Sequence, residues 1–235
     1  MRSPELPPRL ESKRFILRDF TPSDRAAFVA YQMDARYRAL YGTPDNDRTR
    51  ASSNALFDRF LAWQEEQPRR NFQVGIFDKS SGDLLGCVGL RGKDLPMDSA
   101  IFGIELSPSH WGRYRAAIEA STMMIAFGFR ELDLASIMGV TASDNKRIAR
   151  LADWFGAEVV AERHGSENSP EFTTEWTTEC GTAKVDWSLK RTIWDHGRPD
   201  ASRRTDAGTD NFVYANCNLK TGTAAEMQKH ACKGM

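Results

Sequence analysis

The residues best equipped for chemistry lie between Ile101 and Leu132. An apolar run, Ile101 to Leu106, carries a single carboxylate, Glu105. It feeds Ser107-Pro108-Ser109-His110-Trp111-Gly112-Arg113-Tyr114-Arg115, and a long apolar stretch opens at Ala116. A polar loop entering a buried helix brings unpaired backbone N–H groups and the positive end of a dipole to one spot, where a phosphate can bind. Gly112 lets the backbone approach a ligand closely, while Arg113 and Arg115 add charge that can meet phosphate oxygens. The competing reading is a surface loop with solvated arginines. Along the strand, Ile101, Gly103 and Glu105 share one side and Phe102, Ile104 and Leu106 the other. A Glu beside a Gly suits a surface that admits a ligand, so Glu105 is the candidate base, direct or through water. The alternative is a solvated or salt-bridged strand carboxylate. His110, with an unperturbed pKa of about 6.5, is the second candidate proton acceptor; its other reading is a surface loop residue.

Periodicity supplies the elements that hold this segment. Arg14 to Phe20 alternate as a first strand, and Thr21-Pro22-Ser23-Asp24 announces a helix expected from Pro22 to about Leu40. Tyr41-Gly42-Thr43-Pro44-Asp45 breaks it, and a second helix carries Leu56, Phe57, Phe60 and Leu61 as far as Gln67-Pro68. Phe72–Phe77 and Leu84–Leu90 flank a polar turn and read as a hairpin. Ile101–Leu106 is the next strand, and Ala116 to about Leu132 is a helix apolar over much of its circumference, hence buried on a sheet. Ile137–Thr141 is a short strand. Ser143 or Asp144 can cap the following helix, whose Ile148, Leu151, Ala152 and Phe155 fall on one stripe before Gly156 as a C′ residue. Glu158–Glu162 and Val185–Thr192 are late strands, with Phe172–Trp176 a candidate fragment between them. The order predicts an α/β fold, layered α+β, with a central mixed sheet flanked by helices.

The chain has 235 residues, 40% of them hydrophobic, enough for one core. Lys+Arg and Asp+Glu are 32 each, so no global field recruits nucleic acid or an anionic membrane. Met1 to Leu10 lacks the apolar run of a signal peptide, and no apolar stretch is long enough to span a membrane. Cys87, Cys180, Cys217 and Cys232 show no close pairing, which suits reduced thiols in a cytoplasmic protein. Cys217, His230 and Cys232 do not form a zinc set, and no metal is expected. After Trp194 the composition turns polar, so residues 195–235 are expected to be a disordered tail.

Several segments, in order, resemble the RimJ/RimL-type acetyltransferases of the GNAT superfamily. Leu10-Glu11-Ser12-Lys13-Arg14-Phe15-Ile16-Leu17-Arg18 with Asp24 resembles their opening strand and helix. Trp111-Gly112-Arg113-Tyr114-Arg115-Ala116, shortly before Glu119-Ala120, resembles their pyrophosphate loop. Asn145, with Arg150 and Gly156 following, matches their Asn-led last helix. Leu85-Gly86-Cys87-Val88-Gly89-Leu90 resembles the third strand and Val185-Asp186-Trp187-Ser188-Leu189 the last. The likeness covers about residues 8–194.

It implies a GNAT fold with a mostly antiparallel sheet. It further implies transfer of an acetyl group from acetyl-CoA to a primary amine, of a protein N-terminus or a small molecule, by direct attack without a covalent enzyme intermediate. The oxyanion donor would be a backbone N–H near Glu105 or Leu106. Cofactor contacts would come from Leu106, Trp111, Gly112, Arg113, Tyr114, Arg115, Ala116 and Ala117, with Asn145 bonding the pantetheine amides or capping its helix. Trp111 reads as a loop anchor, and Tyr37 and Tyr41 lie where relatives admit the acceptor. The resemblance leaves room for a homodimer. Two departures stand out: Tyr114 where the loop usually has Gly, and Ile148 where relatives often carry Ser near the CoA sulfur. They keep open a second function, a GNAT-fold protein that binds CoA or a partner with little or no turnover.

Overall fold

The computed structural model describes residues 9–41, 49–163 and 183–196. The expected tail beyond His196, the fragment Phe172–Trp176 and the residues Cys180, Cys217, His230 and Cys232 lie outside the described residues. Among the described residues there are eight strands: β1 Leu10–Glu11, β2 Phe15–Asp19, β3 Asn71–Asp78, β4 Leu84–Arg91, β5 Ser99–Leu106, β6 Ser136–Ala142, β7 Glu158–Arg163 and β8 Lys184–Lys190. The helices are α1 Arg25–Gln32, α2 Ala35–Tyr41, α3 Arg50–Gln64, α4 Tyr114–Arg130, α5 Lys146–Trp154 and α6 Arg191–His196. The strands form one sheet in the order β1-β2-β3-β4-β5-β6-β8-β7. Every pairing is antiparallel except β5 with β6, the mixed, mostly antiparallel arrangement expected.

Strand alternation divides the buried residues between two faces. Phe72, Val74, Ile76, Val88, Leu90 and Phe102 pack with Met124, Ile125 and Phe127 of α4 and with Leu151 of α5. On the opposite face Phe20, Phe77 and Cys87 meet Phe28, Tyr31, Tyr37, Phe57 and Phe60 of α1 to α3. Phe20 sits at the centre of this second cluster, 5.2 Å from the Phe57 ring and 5.7 Å from Phe28, both edge-on.

Three boundaries differ from expectation. The helix expected from Pro22 to Leu40 is a 3-10 turn, Pro22–Asp24, then α1, and then α2. Asp34 causes the second break: its carboxylate accepts from Arg36 N at 2.8 Å, so a side chain replaces the continuing helical ladder. The helix expected from Ala116 starts two residues earlier, at Tyr114, with Arg113 as N-cap. The strand expected over Val185–Thr192 ends at Lys190, and α6 follows. Arg191 N donates to Ala135 O and its Nε to Leu134 O, turning the chain so that Trp194 is buried against Phe129 and Phe155.

The feature that matters for function is where β5 and β6 part. β5 pairs with β4 from Ile101 through Leu106, but with β6 only over Ser99–Ile101. Beyond Ile101 the sheet opens.

Candidate active site

Ser107 N donates to Leu85 O across the β4 side at 2.7 Å. Backbone groups alternate along a strand, so the N–H groups of Gly103 and Glu105 also point to β4, and those of Ile104 and Leu106 point into the gap toward β6. The Leu106 carbonyl points the same way and accepts from Trp111 Nε1 at 2.7 Å. A cleft follows this gap through the sheet. On the α5 side its walls are Asn145, Ile148, Ala152 and Phe155; on the other side they are Gln73, Arg91, Gly103 and Glu105.

The helix after the loop forms as the sequence requires. Gly112 takes φ +87, and a side chain added there would meet nothing within 4 Å. The positive φ that a Tyr would resist therefore falls on Gly112, while Tyr114 is simply the first helical residue. Ala116 N bonds Arg113 O, whereas the N–H groups of Gly112 and Arg115 have no backbone partner among the described residues. Gly112, Arg113 and Arg115 are exposed around them. This set fits a diphosphate: outward N–H groups at a 17-residue helix start, an open glycine and two cations. Trp111 is half-buried, tied to β5 through its indole N–H, and covered by Arg147, whose guanidinium carbon lies 5.2 Å from a ring centroid of Trp111. It anchors the loop, as expected. Ala116 is buried in the core, so its side chain supplies packing.

Asn145, rather than Ser143 or Asp144, is the N-cap of α5; its Oδ1 accepts from Ile148 N at 3.3 Å while the residue lines the cleft. Capping and cleft lining thus coincide in one side chain. Gly156 takes φ +76 after α5, the left-handed stop read from the sequence.

Among the described residues Glu105 makes no salt bridge, and it is not solvated in the manner of a surface carboxylate. It is 6% exposed, and its Oε1 accepts from Tyr31 Oη at 2.5 Å, from Gln32 Nε2 at 3.4 Å and from Cys87 Sγ at 3.4 Å. Its Oε2 accepts from Tyr37 Oη at 2.7 Å. Tyr37 is fully buried in this cluster; the side chain of Tyr41 lies outside the described residues. Burial, reinforced by the negative charge of Glu105, pushes the Tyr31 phenol and the Cys87 thiol well above their ordinary values. Both stay protonated donors. His110 does not line this cleft. Its Nδ1 lies 2.7 Å from Ser107 Oγ, and burial, then the Arg113 charge, lowers its pKa.

The sequence reading missed Arg91 and Gln73. Alternation puts both on the face of Glu105, since their neighbours Leu90, Phe72 and Val74 fill the other core. In register, Gln73 pairs with Gly89 and Gly89 with Gly103, which leaves a side-chain-free strip across β4 and β5. Gln73 Oε1 lies over Gly89, and a Cβ at Gly103 would stand 2.7 Å from Arg91 Nη2. Burial lowers the Arg91 guanidinium to about 10, with nearby Glu105 pulling the other way. Gly89 and Gly103 were visible as glycines within strands, but only strand register pairs them and reveals what lies over them. Among the described residues no group of three or more His, Cys, Asp or Glu could hold a metal, and no helix is long and apolar enough to cross a membrane.

Residues 14–158, more than half of the chain, match the acetyltransferase (GNAT) domain. A Bacillus subtilis protein described as an uncharacterized N-acetyltransferase, YoaA, is 29% identical over 144 residues, covering 61% of this chain and 79% of that one. A GCN5-related N-acetyltransferase from Brucella melitensis superposes with a TM-score of 0.63 at 17% identity, covering 83% of each chain. The ribosomal-protein-S5-alanine acetyltransferase from Vibrio fischeri gives a TM-score of 0.60 at 18% identity, covering 79% of this chain and 98% of that one. The chain belongs to the GNAT family of acetyltransferases and is an acetyl-CoA-dependent N-acetyltransferase.

Proposed function

We propose that this chain transfers the acetyl group to a primary amine by direct attack, in the manner of RimJ/RimL-type enzymes and in the cytoplasm. The observation that carries this reading is the cleft through the sheet, lined by the buried carboxylate of Glu105 and by Asn145, with the phosphate-competent loop following directly on β5. Acetyl-CoA, when bound, supplies an acyl group already activated as a thioester. Arg113, Arg115 and the N–H groups of Gly112 and Arg115 would hold its diphosphate, and Asn145, which lines the cleft, would bond its pantetheine amides. The N–H of Leu106, directed into the gap, donates to the oxygen on which negative charge develops; a donor fixed in advance acts without reorganisation. Glu105 takes the proton of the incoming ammonium, directly or through water, while Tyr31 and Tyr37 fix its carboxylate. His110 is the alternative acceptor: its lowered pKa keeps it neutral at pH 7, but reaching the cleft requires a water relay.

The acceptor class is a primary amine, on a protein N-terminus or a small molecule. The acetyltransferase domain comprises residues 8–194, extended through α6 to His196. Removing residues 199–235 should leave the melting temperature and acetyl-CoA affinity unchanged; a fall of more than a few degrees would remove that boundary.

The direct test combines calorimetry with thiol release. The native protein should bind acetyl-CoA, and Arg113→Ala and Arg115→Ala should each weaken binding by about 10- to 100-fold, the range for hydrogen bonds to charged groups. Tyr114→Gly should change affinity little, because Gly112 already takes the positive φ. Binding without thiol release to any amine would leave a CoA-binding protein without turnover. Failure to bind would remove the proposed donor site.

A further inference from the structure

The cleft carries opposite charges side by side, Arg91 and Glu105. Arg91 extends from the end of β4 and lies down over Gly103, so its guanidinium reaches the cleft from a side chain only 8% exposed. Glu105 stands two residues further along β5, on the same face, and lines the same cleft. Two residues of strand span about 7 Å, so the guanidinium lying over Gly103 and the carboxylate borne by Glu105 are neighbours on one face of the sheet. Glu105 Oε2 carries one donor, Tyr37 Oη, and a carboxylate oxygen can accept a second. Gln73 Oε1, buried over Gly89 in the same cleft, has no hydrogen-bond partner among the described residues and is a further acceptor.

An amine alone does not match this pair. Its ammonium suits Glu105 and Gln73 but is repelled by the guanidinium, which loses little of its charge at neutral pH because its pKa remains near 10. A molecule with an ammonium and a carboxylate a few bonds apart satisfies both neighbouring poles, with one hydrogen bond at each.

We propose, resting on the acetyltransferase reading above, that the acceptor is a small zwitterion whose carboxylate is bound by Arg91 across Gly103 while its amine faces Glu105. The glycine strip is then a specificity device. Gly89 and Gly103 make room for Gln73 and Arg91 to lie flat, and a side chain at either position would lift the polar group out of the cleft.

The test compares free amino acids with the matching amino acid amides, and with short peptides beginning in Ser or Ala, by thiol release from acetyl-CoA. Free acids should be preferred over amides by at least about 10-fold in kcat/KM, the scale of one charge-assisted hydrogen bond. Arg91→Met should abolish that preference, mainly through KM, while acetyl-CoA affinity by calorimetry stays native. Gly103→Ala, which leaves every charge in place but crowds Arg91 Nη2, should erode the preference in the same direction. The preferred acid should also raise the melting temperature of the acetyl-CoA-free native protein and not that of Gly103→Ala. Equal turnover of acids and amides, or a preference for peptides untouched at Arg91 and Gly103, overturns the zwitterion proposal and leaves the acetyltransferase reading intact. Acetyl-CoA binding without thiol release from any amine overturns both.

Discussion

The two faces of the sheet are built on different principles. Against α4 and α5 the sheet presents Phe72, Val74, Ile76, Val88 and Leu90, and the buried side chains there are nearly all apolar. Against α1 to α3 it presents an aromatic cluster at the β2–β3 end, with Glu105, Gln32, Tyr31, Tyr37 and Cys87 bonded together toward β5. Apolar burial is non-directional and tolerates many packings, whereas a buried carboxylate is tolerable only with its partners in place. One face therefore supplies stability, and the other fixes geometry as well.

The strongest test of this contrast is Glu105→Gln. An amide of the same shape keeps a hydrogen bond with at least one phenol but cannot take a proton. Turnover should fall by about 10²- to 10⁴-fold, the usual contribution of a general base, most steeply at low pH, with acetyl-CoA affinity retained. Unchanged turnover across the pH range would shift attention to His110. Next come the two cores. Phe57→Ala should cost about 3–5 kcal/mol in denaturant unfolding and Met124→Ala about 2–5 kcal/mol. If the contrast holds, Phe57→Ala should also reduce turnover, because Phe57 packs on Phe28, which packs on Tyr31; Met124→Ala should leave turnover of the folded fraction near native.

A smaller effect is expected for Tyr31→Phe. It deletes a hydrogen bond to a buried charge and should cost about 1.5–3 kcal/mol. The double variant Tyr31→Phe, Glu105→Gln should cost less than the sum of the two single changes, and strict additivity would show that the pair is not coupled. The smallest concerns His110. Its pKa is lowered in the folded state, so near the ordinary histidine value the unfolded chain binds more protons and stability rises with pH. Below that window the domain should be less stable, and His110→Asn should flatten this part of the pH–stability curve. An unaltered curve would show that the Ser107 contact compensates for burial.

Much of the fold was legible because its signals are local. The apolar breadth of α4, the stripe of α5 and the alternation of β5 each lie within one segment, and Gly112 and Gly156 sit where positive φ is needed. Two of the missed boundaries turn on the hydrogen bonds of a single residue. Asp34 ends one helix by capping the next, and Arg191 turns away from the sheet to reach Leu134 and Ala135. The site divides in the same way. Glu105 and the loop could be singled out from type and spacing, and Asn145 from the family resemblance, but the partners of Glu105 come from residues 31, 32, 37 and 87. Arg91 over Gly103 is a cross-strand fact, invisible without register.

Trp111 gives the loop a consequence beyond anchoring. Its indole N–H holds the Leu106 carbonyl, its ring lies under Arg147 of α5, and its backbone runs directly into Gly112. The peptide unit that ends β5 and the loop proposed to hold the diphosphate are thus parts of one linked assembly. Linkage is reciprocal: if diphosphate binding tightens the loop, it also holds the Leu106 backbone in register, and a well-placed acyl oxygen favours the tightened loop in return. A donor cut back to acetyl-pantetheine should then lose kcat as well as affinity, since remote binding energy contributes to orientation at the reacting centre. Trp111→Phe, which keeps a ring but loses the tether, should narrow the kcat gap between the full and the shortened donor. The nucleotide half of the molecule, though distant from the bond that breaks, would then help set the pace of the reaction.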